Sequence, residues 1–164
     1  MEPRSGGPIN AAVEVLGDRW SLLVLRDVIF ADRRYFRALL TGSPEGIASN
    51  ILADRLKRLL DAGLLTRGTA ARGQRARFSL TEAGIQTVPI LYALGDWGLN
   101  WRAKEGQSPT AQQFMRDGGP EFLEEIMDEL RVRHLDAPPK SRTGPGALER
   151  LEAVSAAASD PPSP

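Results

Sequence analysis

Apolar side chains recur at helical spacing near the start of the chain. Four of them follow Pro8 at positions i, i+3, i+4 and i+7: Ile9, Ala12, Val13 and Leu16. This spacing predicts a helix over 8–16 that ends at Gly17. Asp18 is then a typical N-cap for a second helix, which is apolar on nearly every side from Trp20 to Phe30. Because this second helix has almost no polar face, it is expected in the core of the domain.

A short third helix is predicted over about 34–40 and ends at Gly42. Its apolar side chains are expected to point inward: Tyr35, Phe36, Leu39 and Leu40. The segment 41–46 has the Gly, Ser and Pro content of a turn. A fourth helix is predicted from about Ser49 to Ala62, with apolar residues on one face and polar residues on the other, and Gly63 ends it.

Two short segments, 64–67 and 76–80, have the apolar or alternating pattern of strands that can pair antiparallel. A hairpin tip rich in Gly and Arg, 68–75, separates them. Thr81 is a predicted cap for a long helix over 82–101, in which Pro89 implies a kink or a break. Two helices joined by a short turn and followed by a strand pair with a basic tip form a winged helix-turn-helix. The predicted fold is therefore mainly α with a small antiparallel β-hairpin (α+β).

The polar face of the fourth helix is suited to the major groove of DNA. Small or amide side chains at its start, Ser49, Asn50 and Ala53, can approach base edges, and Asn can bond bidentately to adenine. Cations that can contact phosphates follow on this helix and at the hairpin tip: Lys57, Arg58, Arg72 and Arg75. Arg55 is equally suited to an intramolecular ion pair. The alternatives are an ordinary amphipathic surface helix and a solvated charged turn.

The distribution of charge supports the DNA interpretation, although the 164 residues carry 21 basic and 21 acidic side chains. Residues 1–102 hold fourteen Lys and Arg against ten Asp and Glu, whereas residues 103–164 hold seven against eleven. Within residues 55–77, seven basic side chains stand against one acid, Asp61. A local charge of +6 over 23 residues is the footprint expected of a protein that binds a polyanion.

Candidate catalytic chemistry is sparse. The chain has no Cys, which excludes disulfides, thiolate metal sites and thiol redox sensing. The single His, His134, is interpreted as a surface residue. Because no GxGxxG, P-loop or GxSxG pattern is present, we expect no enzyme activity, no catalytic residues, no cofactor and no metal. With neither a signal-peptide core nor an apolar run of membrane length, the expected location is cytoplasmic.

The long helix over 82–101 carries an apolar face on which Trp97 and Trp101 lie four residues apart. We interpret this face, together with that of the first helix, as an interface with a second protomer. The predicted interface residues are Ile9, Val13, Leu16, Leu91, Leu94, Trp97 and Trp101. Packing within a single chain would explain the same spacing.

Beyond a winged helix-turn-helix and dimerisation domain over 1–102, the chain is predicted to contain two further segments. Residues 103–137 are interpreted as an acidic helical extension with a helix over 121–135. This helix carries five carboxylates: Glu121, Glu124, Glu125, Asp128 and Glu129. They could form a metal or acid–base site, but a solvated acidic face is the simpler interpretation. Residues 138–164 hold six of the twelve prolines and no aromatic residue, which predicts a mostly disordered tail with at most a helical turn over 148–154.

Four sequence blocks are similar to those of a known family. They are GDRWSLLVLRD at 17–27, GIASNILADRLKRL at 46–59, AGLL at 62–65 and LTEAG at 80–84. In this order, over about residues 8–102, the chain resembles the HxlR-type branch of winged-helix bacterial transcription regulators. The resemblance implies a homodimer, formed by the first helix and the long helix after the wing, that binds a pseudo-palindromic operator through two copies of the fourth helix and two wings.

Many members of that branch sense electrophiles or oxidants with a Cys just before the Pro of the first helix, where this chain has Gly7. An effector would therefore bind without covalent chemistry, and aromatic placement suggests a ligand space lined by Trp20, Tyr92 and Trp97. We expect a sequence-specific, homodimeric transcriptional repressor that is cytoplasmic and nucleoid-associated when bound to DNA. Its expected partners are double-stranded DNA, itself and a small-molecule effector. The alternative is a protein-interaction module that uses the acidic extension.

Overall fold

The computed structural model describes residues 6–71, 74–102 and 110–159. The chain divides into two compact units, residues 1–85 and 86–164. The predicted first domain, 1–102, is longer than the first unit because the predicted long helix is interrupted at Gln86 and Thr87, just before Pro89. Of the kink or break that Pro89 implies, the structure has a break.

The described part of the first unit contains five helices and a two-stranded sheet. In chain order these are α1 (Pro8–Leu16), α2 (Arg19–Phe30), α3 (Phe36–Gly42), α4 (Ser49–Asp61), β1 (Leu65–Arg67), β2 (Phe78–Leu80) and α5 (Glu82–Ile85). The strands pair antiparallel, with Leu65 opposite Leu80 and Arg67 opposite Phe78. The predicted order of elements and the winged helix-turn-helix fold are confirmed.

The core of the first unit is centred on α2, which packs against α4. Apolar side chains of both helices are buried: Val24, Leu25, Val28, Ile29, Leu52, Leu56 and Leu59. Burial of a side chain of this size stabilises the folded state by about 1.5–3 kcal/mol. The prediction that α2 lies in the core is confirmed.

The helix boundaries follow local signals in the sequence. Gly17 is the C-cap of α1, and its N–H donates to the Val13 carbonyl at 2.7 Å. The Asp18 carboxylate accepts from the Trp20 and Ser21 N–H groups, both at 3.0 Å, and so caps α2 as predicted. Gly63 ends the α4 turn with a φ of +71°, a left-handed conformation that favours glycine.

The prediction that Tyr35 and Phe36 point inward is wrong. The side chains of both remain exposed, at 40% and 37%. α3 begins at Phe36, two residues after the predicted start at about Arg34, and Tyr35 is an extended N-cap. Consequently Arg34 is the residue of this segment that is buried, and Leu39 is the buried apolar residue of α3.

The second unit contains α6 (Val88–Arg102), α7 (Thr110–Leu135) and α8 (Ala147–Ser159). α7 bends at Gly119, which has a φ of 66° and a ψ of −163° and precedes Pro120. The rings of Phe114 and Phe122 pack edge to face across the bend, with their centroids 5.3 Å apart. The predicted acidic helix over 121–135 is the part of α7 that follows this bend.

The prediction of a disordered tail from residue 138 is wrong for residues 147–159, which form α8 on the surface of α7. Three apolar side chains of α8 are buried: Ala147, Leu148 and Leu151. The Glu129 carboxylate of α7 accepts from the Ala147 N–H at 2.5 Å and so caps α8. Arg150 pairs with Glu125 at 2.5 Å. These partners lie 18 and 25 residues away, so composition could not reveal them.

His134 is also buried, at 9% exposure, contrary to the predicted surface position. It continues the stripe formed every four residues by Phe122, Ile126 and Leu130, all of which are buried. Among the described helices, none combines the length and apolarity needed to cross a membrane.

Candidate nucleic-acid interface

The helix-turn-helix consists of α3, a turn over 43–48 and α4. The Arg26 guanidinium of α2 donates to both carboxylate oxygens of Glu45 in this turn, at 2.6 and 2.8 Å. These hydrogen bonds lower the pKa of Glu45 from 4.5 to about 2. Arg26 also contacts Asp27, which is itself buried. The turn is therefore fixed to α2 by an ion pair that the sequence pattern did not predict.

The first turn of α4 presents a small and polar surface. Ser49, Asn50 and Ala53 are all exposed. The N-cap is Ala48, which has no side chain able to accept a hydrogen bond from the first N–H groups of the helix. Because the first N–H groups of a helix have no partner within it, they remain available to an anion. The first turn also contains no acidic residue.

The cations of α4 differ in exposure. Lys57 pairs with Asp61 at 2.6 Å and Arg58 with Asp54 at 3.4 Å, but their side chains remain 75% and 58% exposed. Exposed pairs of this kind contribute only about 0–1 kcal/mol, so a phosphate can replace the carboxylate at little cost.

Arg55 has a different environment. Its side chain is 19% exposed and pairs with Asp18 at 2.9 Å and with Asp54 at 2.7 Å. The intramolecular ion pair considered for Arg55 from the sequence is therefore present. It ties α4 to the N-cap of α2. Partial burial raises the pKa of Asp18, but the hydrogen bonds with Ser21, the charge of Arg55 and the hydrogen bond with Trp20 together outweigh this effect, so the pKa is lowered.

The wing is formed by β1, β2 and the tip between them. Arg75 is exposed at the described edge of this tip, whereas Arg72 lies outside the described residues. Arg67, the last residue of β1, and Arg77, which directly precedes β2, are exposed and add to the positive charge of the wing. Both belong to the basic segment 55–77, but neither was among the predicted phosphate contacts.

Arg34 is hydrogen-bonded to β2 of the wing. Its carbonyl accepts from the Phe78 N–H at 2.8 Å, and its Nε donates to the Phe78 carbonyl at 3.0 Å. Its guanidinium also donates to the Ser79 hydroxyl. Arg34 is only 4% exposed. It therefore acts as a positioning residue that fixes β2 to the segment entering α3.

A family model described as HxlR-like helix-turn-helix matches residues 15–106, which is more than half of the chain. The chain belongs to the HxlR-like helix-turn-helix family. The HTH-type transcriptional regulator Rv3095 of Mycobacterium tuberculosis is 33% identical over 94 residues, which are 57% of this chain and 58% of that protein. The regulator sll1512 of Synechocystis is 33% identical over 99 residues, 60% of this chain and 72% of that protein.

The crystal structure of PA1607, described as a candidate transcription factor, has a TM-score of 0.58 and 30% identity. The match covers 64% of this chain and 72% of PA1607. The chain spans only 58% of the length of the mycobacterial relatives that it matches. The matched region includes the complete HxlR-like helix-turn-helix and wing described above.

Two helices of this HxlR-like chain each carry an apolar face that is open to solvent. On α1, Ile9 and Val13 are 79% and 55% exposed, and Leu16 is half-buried. On α6, three predicted interface residues are 47%, 54% and 72% exposed: Leu94, Trp97 and Trp101. Leu91 is half-buried. Such exposure is unusual for large apolar side chains and typical of interaction surfaces.

The three aromatic residues of the predicted ligand space are placed on two different units. Trp20 is a half-buried residue of α2, with the Arg19 guanidinium 5.0 Å from its ring. Tyr92 and Trp97 belong to α6, where five residues correspond to a rotation of roughly 140°. Tyr92 and Trp97 therefore point to different faces of α6, and the predicted ligand space stays a prediction.

The acidic side chains of α7 are largely used within the second unit. Asp128 contacts Lys140 at 2.5 Å and Arg131 at 2.9 Å. These contacts lower the pKa of Asp128. Glu129 pairs with Arg142 at 2.5 Å in addition to capping α8. Within the described ranges, no cluster of three or more His, Asp or Glu side chains has an arrangement that could hold a metal ion.

Proposed function

We propose that this protein is a sequence-specific, DNA-binding transcriptional regulator that acts as a homodimer on a pseudo-palindromic operator. The observation that carries the proposal is the first turn of α4, where Ser49, Asn50 and Ala53 are exposed beside a basic wing. One face of α4 is buried, so its opposite face is presented in a fixed orientation. This is the arrangement by which a recognition helix enters the major groove.

In this proposal, base readout and phosphate contacts are made by different residues. Asn50 reads a base edge, with Ser49 and Ala53 allowing close approach. Lys57, Arg58, Arg72 and Arg75 contact phosphates and set the register of the protein on the duplex. The exposed ion pairs of Lys57 and Arg58 support this role because each can be exchanged for a phosphate.

A homodimer is supported by the open apolar faces of α1 and α6. Covering several large apolar side chains with a second protomer would remove them from water, which contributes roughly 25 cal/mol for each Å² buried. A C2 dimer would present two recognition helices to two half-sites about one helical turn of DNA apart. Binding that overlaps a promoter would exclude polymerase, so we propose repression in the cytoplasm as its effect.

The dimer is tested by sedimentation of the full chain and two variants. Trp101→Ser is expected to raise the dimer dissociation constant, because Trp101 is the most exposed aromatic residue of the α6 face. Ala93→Ser, which changes an exposed residue of the same helix outside that set, serves as the matched control. A monomer in the unmodified protein, or an equal effect of both substitutions, would contradict the proposed interface.

DNA binding is tested by fluorescence anisotropy with a labelled duplex from the region upstream of the protein's own gene and a scrambled duplex, each at two salt concentrations. Eight phosphate contacts in the dimer would give a slope of log K against log salt of about −7. Tighter binding to the upstream duplex, with a steep salt dependence, is expected. Equal weak binding to both duplexes at low salt would contradict a sequence-specific regulator.

The signal for such a regulator cannot be a thiol in this chain, which has no Cys. We propose that any control is exerted by a ligand bound without covalent chemistry. The alternative function, a protein-interaction module using the acidic extension, gains no support from the second unit. Its carboxylates Glu125, Asp128 and Glu129 already pair with basic side chains of the same unit.

A further inference from the structure

An open groove of 690 Å³ lies between α3, α4 and the wing. Its apolar lining includes Phe36 of α3, which is the accessible member, and Leu56 of α4 and Phe78 of β2, whose side chains are only 3% and 5% exposed. Phe36 is 37% exposed although it is aromatic and was expected in the core. The groove therefore offers an apolar floor that no side chain of the described chain fills.

The rim of the groove is positively charged. Its charged side chains are Arg37 from α3, Lys57 from α4, and Arg67 and Arg75 from the wing. Among the residues that the structure describes, no carboxylate lines the groove, and Arg37, Arg67 and Arg75 make no salt bridge within that part of the chain. Only Lys57 is paired, with Asp61 at 2.6 Å. The groove thus combines an apolar lining with three arginines that form no ion pair among the described residues.

This combination defines the ligand that would fit. An apolar floor is covered by a flat hydrocarbon body, whereas guanidinium groups bind a carboxylate through charge-assisted hydrogen bonds. A DNA backbone would satisfy the cations but offers little apolar surface to cover Phe36. The volume also lies within the range of roughly 300–1,000 Å³ that is usual for small-molecule sites.

We propose that this groove binds a small aromatic carboxylate and that the bound anion opposes DNA binding. Lys57 and Arg75 are shared between the groove and the proposed phosphate contacts. An anion on these two residues neutralises them and places negative charge where the DNA backbone would run. By linkage, DNA must weaken the binding of the anion by the same factor. The antagonism rests on the proposed function, whereas the binding site does not.

The site is tested first without DNA, by calorimetry and amide NMR shifts of the full chain with 2-naphthoate. Saturable binding is expected, with shifts concentrated at Phe36, Lys57 and Ala76. Arg67→Gln is expected to weaken binding roughly tenfold, as for one charge-assisted hydrogen bond. Arg77→Gln removes an exposed cation of the same wing that does not line the groove, and is expected to leave the affinity unchanged.

The uncharged 2-naphthamide distinguishes the contribution of the cationic rim to affinity from that of the apolar lining. It is expected to bind at least several-fold more weakly than 2-naphthoate. Equal binding of the two compounds, or shifts outside the groove only, would overturn the site. DNA anisotropy is then repeated with increasing 2-naphthoate, which is expected to raise the apparent Kd for the duplex. Simultaneous binding without any change in that Kd would overturn the antagonism. If the protein binds no duplex at all, the proposed function fails while the naphthoate result still decides the site.

Discussion

Gly84 is the position at which one added methyl group should be most informative. It lies in α5, directly after the wing, and is buried. A Cβ atom at this position would lie 2.2 Å from the Leu64 carbonyl oxygen and 3.1 Å from Leu80 Cδ2. The Leu64 carbonyl cannot turn away freely, because it accepts from the Thr81 N–H at 3.1 Å and from the Thr81 hydroxyl at 3.3 Å. Gly84→Ala must therefore displace backbone.

The size of the effect follows from two opposing contributions. Alanine is favoured over glycine in a helix interior by about 1 kcal/mol. Overpacking of a tight site costs about 1–3 kcal/mol, and the contact here is with a hydrogen-bonded carbonyl rather than a flexible side chain. Such a contact lies in the upper part of that range, at about 2–3 kcal/mol. After the gain of about 1 kcal/mol from alanine, the expected net loss in the free energy of unfolding is about 1–2 kcal/mol, which for a chain of this length lowers the Tm by roughly 2–8 °C.

The measurement is urea unfolding followed by circular dichroism, with Ala83→Gly as the matched control. Ala83 is the exposed neighbour in the same short helix, so its replacement reports the helix preference at this location without a steric contribution. The difference between the two variants then isolates the cost of the close approach. A Gly84→Ala protein as stable as the unmodified chain, or more stable, would refute the packing argument.

Three further outcomes are expected. Asn50→Ala should lose about 1–3 kcal/mol of discrimination at one base position, whereas Arg75→Ala should weaken the binding of all duplexes alike and reduce the salt slope. Equal losses of affinity for operator and random DNA in both variants, measured by anisotropy, would reject the assignment of base readout to Asn50 and phosphate contact to Arg75. Because Arg26 lowers the pKa of Glu45 to about 2, the ion pair stabilises the fold fully above pH 4.5 and this stabilisation is lost as the pH falls toward 2. Glu45→Gln should therefore reduce the loss of stability at acid pH in a curve of unfolding free energy against pH. An acid part of the curve that is unchanged in the variant would exclude this contribution. Glu129→Ala should release the N-terminus of α8, which hydrogen exchange would detect as lost protection of α8 amides; unaltered protection would show that apolar packing alone holds this helix.

The elements predicted correctly are those with strong local signals. α1 matches because Pro8, the apolar spacing and Gly17 agree on its limits, and α2 matches because Asp18 caps it. Thr81 caps α5 as predicted, since its hydroxyl accepts from the Gly84 N–H at 3.1 Å. In each case the decisive contact joins residues only a few positions apart, so periodicity and capping rules suffice.

The elements that were missed depend on distant partners. α8 is held by Glu129 and Glu125, which a local reading of a proline-rich segment could not connect to it. Of the candidate DNA-binding surface, the recognition helix and the wing were predicted, but the ion pair of Arg26 with Glu45 and the wing anchor Arg34 were not. Arg34 forms its bonds with residues 44 and 45 positions later, and no spacing rule identifies such a pair.

The double attachment of the wing has an evolutionary consequence. β2 is held on one side by β1 and on the other by Arg34, and the last hydrogen bond before the tip joins the Gly68 N–H to the Arg77 carbonyl at 2.8 Å. An insertion or deletion between Gly68 and Arg77 would leave every one of these bonds in place. The tip can therefore change in length and charge during evolution while α4 keeps its orientation, so the surface beside α4 can diversify without any change in the rest of the fold.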